Sequence, residues 1–164
     1  SDTKSDSCTV TVTPAVYRIE TAHDASGSIP AWDAAPSHAE FSMPLTAKKS
    51  GLLLRALEFR IKGFVAGKMR AILRRYGSTT PLVDLSLELI RGYNDVVLDM
   101  GGFPLEKGVE YQLYFSAVNN FYPPSVEAGW VEENDFIDIA HGSAYYDGDT
   151  TLIFAGTVVL READ

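Results

Sequence analysis

Six carboxylates fall in one stretch of this chain, "VEENDFIDIAHGSAYYDGD": Glu132, Glu133, Asp135, Asp138, Asp147 and Asp149. Carboxylates gathered on loops can hold Ca²⁺, which takes about six to eight oxygen ligands. The spacing lacks the D-x-D-x-D-G order of an EF-hand, and "DGD" alone is a common turn. A solvated acidic edge that discourages stray strand pairing is the better reading, and no cofactor is expected. The three histidines, His23, His38 and His141, follow neither HxxxH nor HExxH spacing, so a zinc site has no motif behind it. No GxSxG elbow accompanies the serines, and nothing marks a Ser-His-Asp triad. Cys8 is the single cysteine; it has no internal disulfide partner and reads as a small hydrophobe rather than a nucleophile. Enzymatic activity is not expected.

Aromatic residues in and beside turn-rich segments offer a different chemistry. Trp32, Phe121, Tyr122, Trp130, Tyr145 and Tyr146 form that set. Sugar rings present apolar C–H faces that pack on aromatic planes, while acids and amides bond their hydroxyls. Asn119, Asp147 and Asp149 supply the polar part of such a site. Tyr145 and Tyr146 are adjacent, and on a strand adjacent side chains point to opposite faces. At most one of them can join an exposed platform.

These residues need a scaffold, and the hydrophobic period says which kind. In "VEYQLYFSA", Val109, Tyr111, Leu113, Phe115 and Ala117 alternate with polar or outward residues, the mark of a half-buried strand. "ALEFRIK" turns Leu57, Phe59 and Ile61 inward, "KMRAILRRY" turns Met69, Ala71 and Leu73 inward, and "DVVLDM" offers Val96, Leu98 and Met100. "TLIFAGTVVL" suits a strand buried on both faces. "PLVDLSLELIRG" fits a helix in part, but Val83, Leu85, Leu87 and Leu89 fit a strand better. Glycine, proline and asparagine clusters separate these runs, at "KGFVAGK", "YGSTTP", "RGYND" and "MGGFP", and each reads as a turn. Two segments, about 22–38 and 118–129, are too long for hairpin turns and carry Trp32, Phe121 and Tyr122; packed, functional loops are expected there. The pattern predicts one all-β domain over 1–164, an antiparallel sandwich or barrel.

Composition narrows the partners. Fourteen basic against 22 acidic residues give a net charge of −8 over 164 residues, which opposes binding to a nucleic-acid backbone. No stretch approaches the ~20 apolar residues of a membrane helix. The nearly wholly apolar runs "GLLLRAL" and "LIFAGTVVL" require either a well-covered sandwich or a partner subunit, and a homo-oligomer is expected.

"FPLEKGVEYQLYFSA" resembles the stretch of jelly-roll β-sandwich domains in which an L-x-x-G-x-x-Y turn leads into a long strand, here Leu105, Gly108 and Tyr111. "AHGSAYYDGD…LIFAGTVV" resembles their closing segment, through Gly142, Ala144, Tyr145 and Phe154. The resemblance covers roughly residues 51–160 and is to modules of bacteriophage tail fibres and of extracellular carbohydrate-binding proteins. It implies an antiparallel jelly roll in a virion or outside the cell, with a trimer as the fibre-like assembly. It also implies recognition of a cell-surface glycan. The alternatives are a connector or decoration subunit contacting virion protein neighbours, or an accessory carbohydrate-binding module of a secreted protein. Because Tyr145 matches the inward aromatic of the closing segment, Tyr146 is the exposed one. The expected ligand-binding set is therefore Trp32, Asn119, Tyr122, Tyr146, Asp147 and Asp149. Gly108 is expected at positive φ, and Tyr111 inside with its hydroxyl on a loop carbonyl.

Overall fold

The structure, a computed structural model, describes residues 13–21, 38–122, 125–126, 133–139, 143–144 and 153–164. At 38–39, 118–120, 122, 125–126, 143–144 and 153 it describes the backbone alone. The strands are β1 (Val16–Glu20), β2 (His38–Ala47), β3 (Leu52–Gly63), β4 (Gly67–Arg75), β5 (Pro81–Leu89), β6 (Gly92–Leu105) and β7 (Glu110–Tyr122). Four short ones follow, β8 (Ser125–Val126), β9 (Ile137–Ile139), β10 (Ser143–Ala144) and β11 (Ile153–Phe154), and β12 (Thr157–Glu162) closes the chain.

Pairing sorts them into two antiparallel sheets. One runs β1-β12-β3-β6. The other runs β5-β4-β7-β2-β9, with β10 continuing along the β9 side of β2. At one corner the sheets touch through backbone pairing of Lys62 with Tyr122 and Gly63 with Phe121. Counting the long strands and β1 and β12 from one to eight in chain order, the sheets read 1-8-3-6 and 2-7-4-5. That interleaving is the jelly roll, in which strands distant in sequence become neighbours. β8 to β11 sit between its seventh and eighth strands, with β8 paired to β11.

The period-two pattern places the core. Leu57, Phe59, Ile61, Met69, Ala71, Leu73, Leu98, Met100, Tyr111, Leu113 and Phe115 are all buried, as the alternation predicts. Phe115 sits at the centre of an aromatic cluster, edge-on to Phe59 at 5.4 Å and stacked on Phe154 at 6.2 Å. In β12, which lies between two neighbours, Val158, Val159 and Leu160 are buried in succession, so both faces are covered. β5 is a strand, with Val83, Leu85 and Leu87 packed against the core and Leu89 buried in it. Leu52 and Leu54 of the apolar run before "ALEFRIK" are buried within the sandwich.

Four local expectations change, the first being that "TLIFAGTVVL" is not one strand but two, β11 and β12, parted at residues 155–156. "MGGFP" is not a turn: β6 runs through it, and Gly101 and Gly102 both take positive φ (69° and 68°) inside the strand. Leu54 pairs with Phe103 and Ala56 with Asp99, so residues 100–102 bulge opposite Arg55 alone. The Gly101 N–H donates to Asp99 Oδ1 at 2.8 Å, which holds the bulge. The loop read over 118–129 starts later, because β7 continues to Tyr122 and its Phe121 is fully buried. Tyr111 is inside as expected, but its hydroxyl accepts the Glu106 N–H (3.0 Å) instead of donating to a carbonyl.

Candidate functional site

In a jelly roll alternate connections share an end. The chain leaves β1 at Thr21 and returns at His38, which pairs with Phe121 near the end of β7. There β7 departs, while β3 passes into β4 through residues 64–66 and β5 into β6 through 90–91. The roots of both long segments and two short turns therefore lie at one end of the sandwich.

The two short turns are rigid and apolar. Asn94 clamps the second: its Nδ2 donates to the Ile90 and Gly92 carbonyls, both at 3.0 Å, and its Oδ1 accepts the Ile90 N–H at 2.9 Å. Gly63 lets the turns touch, since a Cβ there would lie 2.8 Å from the Ile90 carbonyl oxygen. Phe64 (41% exposed), Val65 (47%) and Ile90 (62%) are thus presented to solvent from adjoining backbone. Tyr93 follows them, with Lys62 Nζ 5.1 Å and Arg60 5.8 Å from its ring centroid. These residues were not in the expected set. The signal was "GFVAG", where large apolar side chains sit between two turn glycines with no alternating partner.

Of the expected ligand-binding residues, Trp32, Tyr146, Asp147 and Asp149 lie outside the described residues. Asn119 and Tyr122 belong to strand β7 rather than to a loop, and the backbone of Tyr122 pairs with Lys62 at the loop-bearing end. Of the acidic run, Glu132, Asp147 and Asp149 lie outside the described residues. Its described members Glu133, Asp135 and Asp138 are exposed, beside a segment tied to the opposite end by the Lys48 N–H on the Phe136 carbonyl (2.8 Å). Among the described residues no three of His, Cys, Asp or Glu are grouped to hold a metal. What the fold defines is the class, an antiparallel jelly-roll sandwich. Compared with protein-family models and with curated proteins, the chain matches none.

Proposed function

We propose that this protein is a non-enzymatic recognition module working from the loop-bearing end of its sandwich, as a virion-associated tail or fibre domain that contacts a cell-surface glycan. One observation carries the reading: the roots of both long segments share an end with two rigid turns. Loops on a rigid scaffold are where binding residues concentrate. The glycan and the virion setting rest on the resemblance carried by Leu105, Gly108, Tyr111 and Tyr145. A second reading, assembly against a protein neighbour, is favoured by the adjoining exposed Phe64, Val65 and Ile90.

A glycan array and light scattering separate the two. In the glycan reading, Tyr146→Ala lowers array binding at least about tenfold and leaves the melting temperature unchanged. No glycan bound, together with an oligomer that dissociates in the Val65→Ser/Ile90→Ser variant, would select assembly instead.

A further inference from the structure

An unpaired sheet edge offers backbone N–H and C=O groups to any further strand, and folds usually blunt it by shortness, bulges, proline or charge. The edges of this sandwich differ in how well they are blunted. β1 is five residues long, and its Tyr17 ring is stacked on Phe136 at 4.2 Å. β9 has three residues and β10 two. β6 is bent by its bulge at 100–102, carries Pro104 just beyond, and has its inward Leu98 and Met100 already buried. β5 is nine residues long, and among the described strands it pairs with β4 alone. From Val83 to Leu89 that pairing is one to one, without a bulge. Its inward Val83, Leu85 and Leu87 stay half-buried, packed on the core from one side only.

The two acids of β5 are drawn back over their own sheet. Arg70 of β4 donates to both Asp84 carboxylate oxygens (2.9 and 2.7 Å), and Lys68 Nζ lies 3.8 Å from Glu88. We infer that β5 is the contact between two copies of this chain, joined edge to edge and antiparallel about a two-fold axis at Leu85. A two-fold pair sets residues of the same face opposite each other, so the register can be read from the sequence. Centred on Leu85 it uses the whole strand, Pro81 to Leu89. Leu85 then meets Leu85 and Val83 meets Leu87 on the inner face, covering all three half-buried side chains. On the outer face Asp84 meets Ser86 and Leu82 meets Glu88, with no like charges opposed. Centring on Asp84 would set Asp84 against Asp84, and centring on Ser86 would set Asp84 against Glu88; both are repulsive. A basic strand from another protein fits less well, because Asp84 and Glu88 already hold cations of their own. One strand pair is small beside the roughly 1,200 Å² of a stable interface, so a weak, concentration-dependent dimer is expected. This surface runs between the two ends of the sandwich and does not rest on the glycan reading.

The test is sedimentation equilibrium of the full chain over a wide concentration range, with amide shifts of the ¹⁵N-labelled protein followed over the same range. A monomer–dimer equilibrium is expected, with concentration-dependent shifts at 82–88. Ser86 is exposed, so a charge there reads the register without disturbing the core. Ser86→Asp faces Asp84 of the other copy and should weaken the dimer about fivefold, while Ser86→Lys should tighten it by a similar factor, two such pairs forming per dimer. A chain that stays monomeric at every concentration overturns the inference, as does a dimer indifferent to the sign of the charge at 86. Shifts confined to 63–66 and 90–93 also overturn it and select assembly through the loop end, and none of these results touches the glycan array.

Discussion

The two ends of the sandwich are built differently. At the turn end, connections 48–51, 76–80 and 106–109 are short and stitched to their neighbours. Gly108 donates to the Ala47 carbonyl (2.9 Å), Tyr76 to Glu110 (3.0 Å), Ser78 to Arg75 (2.9 Å) and Ala163 to Gly51 (2.8 Å). Gly108 takes φ 77°, as the sequence predicts, and buried Tyr111 closes over that turn through Glu106. At the loop end, two compact apolar turns stand among the roots of two long segments. Jelly-roll connectivity separates these tasks for the first long segment: lengthening the connection after β1 does not touch the stitching at the far end, whereas the connection after β7 also reaches that end, where the Phe136 carbonyl accepts the Lys48 N–H. One end can hold the fold while the other varies.

The largest expected effect tests the stitched end. Tyr111→Ala should cost about 3–5 kcal/mol, through an aromatic-sized cavity, in urea denaturation. Tyr111→Phe, which removes only the acceptor for the Glu106 N–H, should cost about 1 kcal/mol and speed hydrogen exchange at 106–109. If Tyr111→Phe changes neither, the hydroxyl does not stitch this end and the contrast weakens.

Gly63→Ala probes a crowded point of the loop end, where the two short turns meet. The new Cβ meets the Ile90 carbonyl, a backbone atom that can yield only if the turn shifts. A loss of about 1–3 kcal/mol is expected in the same denaturation assay. A neutral result would mean the two turns move freely, and the rigid apolar surface they form would be lost from the comparison.

The smallest effect lies on the sheet faces between the ends. Asp84 and Asp95 are held below the ordinary aspartate range, first by hydrogen bonds from Arg70 and Arg60 and then by their charges. Such depressed carboxylates add stability that is present above the unfolded-state value, near pH 4, and is lost as pH falls through the folded one. Both pairs are largely exposed, so the contribution is small and screened by salt. Replacing Arg60 and Arg70 together by Ala should flatten the acid limb of a circular-dichroism pH titration. The small loss of stability should be seen near pH 7 and vanish at low pH, once both carboxylates are protonated, at either end alike.

What the sequence determined by itself is what local chemistry controls. Alternation in β3, β4 and β7 fixed which side chains go inside, because a strand sends successive residues to opposite faces whatever its partner. Gly101 and Gly102 marked "MGGFP" as a turn, yet a pair of glycines suits a turn and a bulge alike, and only pairing of β6 with β3 on both sides chose the bulge. Asn119 and Tyr122 looked like loop because Asn-Asn and Pro-Pro flank them; backbone pairing with β3 and β2 near Phe121 kept them in a strand. Tertiary structure alone decided which connections share an end, since that follows from the 1-8-3-6 and 2-7-4-5 orders and not from any local run. It alone also brought Arg18 and Ile19 opposite Asn134 and Phe136. Residues so far apart in the chain meet only when two sheets close on one core.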